Sequence, residues 1–396
     1  MIPRVFYYLA QSTRTYRLPR EELEERKRRL LTRNMRWAYD HVAFYHSCFK
    51  RLGKTPEDFT RPESLESFPT ISKPQLVGRG ADIRATGAKG EVIWRSTGTT
   101  GGSFTFEFSG RMNDVRAALA LRRLTNFGVR PWSRIVSIWP PKVNWRYRFD
   151  REGRGRPSTS YLDIPFGSAF YRPFPTVRIL VSNPQDLPYE VRTLRAMRPD
   201  FIVGRPSHLR EVVLQLEREG LHIYPSGVVL TSEPPTYATL RKIAEGFRCP
   251  TCTAYGATEA GNLGGDCRAQ RGIHLYEDFA IMEVLKDGES VGPGETGELT
   301  ITTLYNDVMP LIRYRMGDLV KLADSGRCDC GSYLMRVESI KGRALDGLMT
   351  SSGTRVPPMD VANELEARTG FSDFQLVQES MSRIQIRLSH GQVPNP

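Results

Sequence analysis

Leu23, Leu30, Leu31, Met35, Ala38 and Val42 recur near a helical spacing, so residues 20–52 read as helices. The Pro-rich run TPEDFTRPESLESFPTISKPQL that follows has no such period and reads as a surface segment. Residues 91–108 predict a strand, a Gly/Ser/Thr loop and a second, alternating strand, SFTFEFS. A helical stretch at 111–127 comes next. VRILVS and DFIVG read as short buried strands with a helical pattern between them. SHLREVVLQLEREG is an amphipathic helix, followed by the strand GVVLTS, the helix TYATLRKIAEGF and the strand CPTCTAYG. Such alternation predicts an α/β fold with layered, mostly parallel sheets. After about residue 275 the pattern turns β-rich, in IMEVL, GELTITTL and DLVKLA. The expected organisation is a large multi-lobed N-terminal domain at 1–340, with a helical lead-in at 1–75 and the β-rich lobe at about 275–340. A short α+β segment, 341–396, completes it.

Composition adds exclusions. The 396 residues are 39% hydrophobic and 25% charged, ordinary for a globular chain. No apolar run reaches the length of a membrane span, and MIPRVFYYLAQSTR lacks the cleavage site of a signal peptide. The expectation is a cytoplasmic protein with no membrane partner. Lys and Arg exceed Asp and Glu by 56 − 44 = 12. The densest basic group, EELEERKRRLLTR, is interleaved with Glu and reads as a solvated helix face. No basic stripe with exposed aromatics is evident, so no nucleic-acid partner is expected.

The candidate chemistry starts at RSTGTTGG, residues 95–102. A Gly/Ser/Thr loop between strands presents backbone N–H groups and hydroxyls that can cradle phosphate, although a flexible turn has the same composition. The lysine-bearing phosphate loop is absent here. AYGATEAG (254–261) sets Thr258 beside Glu259, a hydroxyl and a carboxylate suited to Mg²⁺ carried by phosphates. Tyr255 could cover a flat ring. IRYRMGDLV places Asp318 on a turn after a strand, where two carboxylate oxygens can accept both hydroxyls of a ribose. IKGRALDG adds Arg343 and Asp346. Of six cysteines, Cys267, Cys328 and Cys330 lie in late clusters that suggest metal, whereas Cys249 and Cys252 read as core residues before Tyr255. His208 stands at a helix start and reads as a cap.

Together, S-T-G-T-T-G, Y-G-A-T-E, Y-R-x-G-D and G-R-x-x-D, in this order, resemble the signature of the adenylate-forming (acyl-CoA synthetase/ligase) superfamily. WAYDHVAFYHSCFKRLGKTPEDF, LESFPTISKPQL and RPDFIVGRPSHL resemble its phenylacetate–CoA ligase-like subgroup. The resemblance spans about residues 25–360. It implies ATP-dependent activation of a small organic acid, aromatic by expectation, to acyl-AMP, with transfer to coenzyme A. Alternatives are transfer to an amine, a hydroxyl or a carrier protein, or a non-catalytic or split nucleotide-binding relative. By the same resemblance, Ser96, Thr97, Gly98, Thr99, Thr100 and Gly101 would hold the ATP phosphates. Tyr255 and Gly256 would lie against adenine and the acyl pocket. Thr258 would bind phosphate and Glu259 would hold Mg²⁺. Asp318 would bind the ribose, helped by Arg336 or Arg343, and Thr258, Glu259 and Arg343 would take part in catalysis. Trp139, Tyr161, Tyr171 and the surroundings of Gly204 and Ser232 are candidates for the acid pocket.

Relatives in the subgroup can carry zinc on C-x₆-H and a later C-x-C. Cys267 with His274, and Cys328 with Cys330, have those spacings, which implies a structural Zn²⁺; buried thiols without metal are the alternative. The chain also departs from the family pattern. Gly102-Ser103-Phe104 replaces the lysine or proline after the loop, and Leu345 stands at the hinge aspartate. The C-terminal segment is shorter, and the last lysine is Lys341, so the family's late catalytic lysine has no counterpart. The reading leaves open a homodimer and a separately supplied C-terminal domain or acceptor protein.

Overall fold

The computed structural model describes residues 4–96, 104–139, 177–181, 187–324, 326–371 and 373–388. The helices are α1 (Arg4–Thr15), α2 (Arg20–His41), α3 (Ala43–Leu52), α4 (Gly110–Phe127), α5 (Leu187–Met197), α6 (Pro206–Arg218), α7 (Tyr237–Phe247) and α8 (Pro358–Thr369), besides shorter turns. The strands begin with β1 (Val92–Arg95), β2 (Thr105–Phe108), β3 (Ile135–Trp139), β4 (Val177–Val181), β5 (Phe201–Gly204), β6 (Gly227–Thr231) and β7 (Thr251–Ala257). They continue with β8 (Gly261–Asp266), β9 (Ile273–Leu275), β10 (Ala280–Lys286), β11 (Glu289–Ser290), β12 (Thr296–Thr303), β13 (Tyr314–Leu322) and β14 (Arg336–Arg343). The last four are β15 (Leu348–Met349), β16 (Arg355–Val356), β17 (Phe374–Ser380) and β18 (Arg383–Leu388). The fold is mixed α/β, as the alternating pattern implied. The chain forms two compact units, Met1–Asn126 with Tyr255–Leu345, and Phe127–Ala254 with Asp346–Pro396.

In the second unit, β3 pairs in parallel with β4 and β5, β5 with β6, and β6 with the start of β7. Helical crossovers α5, α6 and α7, which link β4 through β7, allow this parallel order. The apolar faces of α5, α6 and α7 supply Val191, Leu194, Leu209, Val212, Leu216, Ile243 and Phe247 to a core that covers Val136, Ile202 and Val228. Cys252 is fully buried and Cys249 packs against this core. His208 does not act as a cap: its Nε2 lies 2.8 Å from Oε1 of the buried Glu190, and Pro206 opens α6. Beyond β14, α8 and the hairpin β17–β18 give the expected α+β content.

The first unit is built on antiparallel pairings of β10 with β12, β12 with β13, and β13 with β14, with β9 on the far side of β14. The Pro-rich segment at 55–76 is not a surface strip. Phe59, Leu65, Phe68 and Leu76 are fully buried, because 3-10 turns opening on Pro56 and Pro62 rotate each apolar residue inward. Phe59 and Phe68 meet edge to face with Phe49 of α3. Two buried carboxylates are paired: Glu277 accepts from Arg20 at 2.7 Å, Lys27 at 2.9 Å and the Met335 amide at 2.7 Å. Arg122, itself fully buried, pairs with Asp278, whose carboxylate also accepts the Thr15 hydroxyl of α1.

Candidate functional site

Asp318 lies within β13 rather than on a turn after a strand. Gly317, at φ +77°, distorts the strand just before it. Register pairs Asp318 with Arg343 of β14. The Arg343 Nε donates to Asp318 Oδ1 at 3.0 Å, and the Tyr255 hydroxyl donates to Oδ2 at 2.8 Å. Burial pushes the Asp318 carboxyl above the usual aspartate range, against the pull of Arg343 and the Tyr255 hydrogen bond.

Tyr255 and Gly256 lie near the end of β7. A Cβ on Gly256 would stand 2.4 Å from the carbonyl oxygen of Gly261, so this position admits only glycine. Thr258, Glu259 and Ala260 form the turn into β8. Glu259 is buried; its Oε1 receives the Tyr314 hydroxyl at 3.3 Å, and burial raises its carboxyl above the usual glutamate range. Arg116 of α4 donates to the Thr258 carbonyl at 3.4 Å and lies 4.5 Å from the Phe108 ring centre. Burial draws its guanidinium down to about 10, while Glu259 opposes that change. Thus Tyr255, Thr258, Glu259, Asp318 and Arg343 are brought together, with Tyr314 and Arg116 added to them. Sequence reasoning had missed the last two. The only signal for Arg116 was an arginine inside the apolar helical run DVRAALA.

Other candidates lie elsewhere. Arg336 begins β14 and Arg343 ends it, roughly 20 Å apart at strand rise. Its guanidinium donates to the carbonyls of Arg271 and Asp324 and does not reach Asp318. The Ser96 hydroxyl donates to the Phe104 carbonyl at 3.1 Å and accepts its amide at 3.0 Å, which pins the base of the Gly/Ser/Thr loop. Thr97, Gly98, Thr99, Thr100 and Gly101 lie outside the described residues, as do Tyr161 and Tyr171. In the second unit, Trp139, Gly204 and Ser232 stand at or just past the carboxyl ends of β3, β5 and β6, the edge of a parallel sheet where ligands bind.

The ligand atoms of Cys267, His274, Cys328 and Cys330 all lie within 4.8 Å of one another. Cys267 and Cys328 sulfurs are 3.8 Å apart, and Cys330 Sγ is 3.6 Å from His274 Nε2. Zinc bonds of about 2.3 Å to sulfur and 2.0–2.1 Å to nitrogen give tetrahedral edges of about 3.8 and 3.6 Å. The donor set therefore fits a closed tetrahedral zinc. The Cys267 hydrogen bond holds the Cys330 thiol far below its usual range, and the same contact holds Cys267 above it. The Tyr16 hydroxyl lies 3.6 Å from the Cys330 sulfur. Cys249 and Cys252 are not part of this group.

Fold and motif order together resemble those of adenylate-forming proteins. The chain is phenylacetate–CoA ligase-like within that class, an acid–CoA ligase-like enzyme. It is 27% identical over 357 residues to a phenylacetate-coenzyme A ligase of Thermus thermophilus, covering 87% of this chain and 75% of the relative. The Escherichia coli phenylacetate-coenzyme A ligase is 26% identical, with 85% and 75% covered. In fold, it is similar to a 2-hydroxyisobutyryl-CoA ligase bound to an acyl-adenylate, with a TM-score of 0.78, 17% identity and coverage of 95% of this chain and 80% of that one. An anthranilate CoA ligase gives a TM-score of 0.52 at 15% identity, covering 76% and 58%. No family model matches the chain. Among the described residues, no helix is long and apolar enough to cross a membrane.

Proposed function

We propose that this protein couples ATP to the activation of a small carboxylic acid, forming acyl-AMP and pyrophosphate, and then passes the acyl group to coenzyme A. The observation that carries the reading is the Tyr255–Asp318–Arg343 constellation beside Glu259, on motifs in the order of this ligase class. Asp318 accepts the ribose hydroxyls, and Tyr255 and Arg343 fix its two oxygens for that task. Tyr255 and Gly256 form the floor under the adenine, with the Gly256 backbone free of side-chain bulk. Ser96 through Gly101 would hold the phosphates, Thr258 would add a hydroxyl, and Arg343, paired with Asp318 at 3.0 Å, would offset charge on the α-phosphate. Arg336 has no part in this reading.

Glu259 is a buried carboxylate that accepts a long hydrogen bond from Tyr314, and its oxygens suit a hard cation such as Mg²⁺. When bound, Mg²⁺ neutralises the charge on the phosphates. The protein's own contribution is alignment: the acid carboxylate is held in line with the α-phosphorus, where positioning lowers the barrier. Trp139, Gly204 and Ser232 mark the acid pocket, and an aromatic acid is the expected class. Cys267, His274, Cys328 and Cys330 hold a structural zinc, on the support of their edge distances. We retain 1–340 as the adenylating domain and 341–396 as its smaller companion, and the cytoplasm as its location.

The test is release of pyrophosphate from ATP with a panel of small acids that includes phenylacetate, with and without coenzyme A. Acyl-CoA formation with one acid supports the proposal. Pyrophosphate release that requires an amine instead of coenzyme A would redirect the second step, and no release with any acid would overturn the first.

A further inference from the structure

A cavity of about 280 Å³ in the first unit is lined by four arginines and by no acidic residue. Three come from one face of α2, Arg26, Arg29 and Arg33, and the fourth, Arg111, comes from α4. Among the described residues, Arg26, Arg33 and Arg111 have no carboxylate within ion-pair distance. Arg26 donates to the Tyr305 hydroxyl at 2.7 Å, Arg33 to the Leu304 carbonyl at 3.2 Å, and Arg111 to the Tyr8 hydroxyl at 3.2 Å. Arg29 has only Glu25, at 3.9 Å. Burial, and then the neighbouring charge of Arg111, pull the Arg33 guanidinium below the usual arginine range. Arg26, Arg33 and Arg111 thus share this space with neutral hydrogen-bond partners, Arg29 lies beside Glu25, and the Asp307 carboxylate partly opposes the shift at Arg33.

A second, smaller cavity shares Arg33 and Arg111 and is lined also by Asn34 and by one carboxylate, Asp307. Asn34 is 5% exposed, and its Nδ2 has no acceptor among the described residues. A cluster serving only to support the fold would pair these cations with acids, as the same unit does at Glu277 and Asp278.

We infer that this arginine-lined cavity is a binding site for a small phosphate or diphosphate anion, separate from the Asp318 constellation. Guanidinium forks match phosphate oxygens two at a time, and a half-enclosed cavity strengthens each such bond. A volume of about 280 Å³, the share of roughly nine waters, holds a diphosphate. The inference does not rest on the ligase reading.

The experiment is calorimetric titration of inorganic phosphate and of pyrophosphate into the intact protein in Mg²⁺-free buffer, at several salt concentrations, with Arg33→Gln and Arg111→Gln in parallel. Saturable binding is expected, weakening steeply as salt rises. A charge-assisted bond is worth about 1.5–3 kcal/mol, so each substitution should weaken it roughly 10- to 100-fold. Removing one of four like charges should leave the ligand-free melting temperature equal or higher, which checks folding. The exposed Arg29→Gln is the fallback and should weaken binding in the same sense. Binding that both variants keep unchanged would place the anion elsewhere and overturn the inference. So would the absence of binding by the wild type, or binding only to vesicles that carry phosphatidic acid.

Discussion

Asp318→Ala tests the nucleotide reading most directly. A carboxylate offers roughly four acceptor positions on its two oxygens. Tyr255 and Arg343 each use one, which leaves two for the ribose hydroxyls. A hydrogen bond to a charged acceptor is worth about 1.5–3 kcal/mol, so losing two costs about 3–6 kcal/mol. At about 1.4 kcal/mol per decade, AMP affinity should fall roughly 10²- to 10⁴-fold. Alanine also leaves the buried Tyr255 hydroxyl without its acceptor, which costs about 1–3 kcal/mol of stability. Asp318→Asn keeps the shape and one acceptor, and should lose less of both. The assay is calorimetric titration of AMP, with thermal unfolding of the same samples as a folding control. A folded Asp318→Ala protein that binds AMP within threefold of wild type would refute the reasoning.

Three further outcomes are expected. Protein prepared without chelator should contain about one zinc per chain, and Cys328→Ser should lower zinc content and melting temperature together; elemental analysis that finds no zinc removes the four-ligand proposal. Glu277→Gln should cost about 1.5–3 kcal/mol in urea unfolding, because the buried Lys27 loses one of its two carboxylate partners and keeps only Glu24 at 3.0 Å. Burial pushes the Glu277 carboxyl up but Lys27 and Arg20 hold it below the usual range, so its stabilisation is present above the unfolded glutamate value. That stabilisation disappears as pH falls through the lower folded value, and the gap between wild type and variant should close in acid. Finally, AMP affinity should decline on acidification from a pH above the ordinary aspartate range, because ionised Asp318 is the acceptor and burial raises its pKa; affinity that stays flat into that range would exclude Asp318 as the titrating contact.

Periodicity made most of the fold legible. Strands such as DFIVG and helices such as SHLREVVLQLEREG carry their own apolar pattern, and each forms close to where it was expected. The Pro-rich segment misled because its burial depends on 3-10 turns that bring single aromatics inward, and no period of 2 or 3.6 records that. The site was legible in its motif residues, since Tyr255, Glu259 and Asp318 are close neighbours in sequence to the glycines that shape their turns. It was not legible in Arg116, because a buried arginine is defined by what surrounds it and its neighbours come from β2 and the Thr258 turn. The separation of Arg336 from Arg343 was equally hidden: seven residues look adjacent in a motif but span a whole strand.

The first unit is split along the chain, ending its opening stretch at Asn126 and resuming at Tyr255 to finish at Leu345. On the ribosome this imposes a wait. Arg122 emerges long before Asp278, and Lys27 long before Glu277. From Asn126 to Leu345 there are 345 − 126 = 219 residues still to be made. At roughly 5–20 residues per second, that is roughly 10–45 s of synthesis. During that interval the nascent helices carry buried-type cations and apolar faces with no partner strands yet available. The intervening unit, whose parallel strands are consecutive in sequence, can collapse first. Chaperone dependence in the cell should therefore centre on helices α1, α2 and α4, which are made well before the strands that receive them.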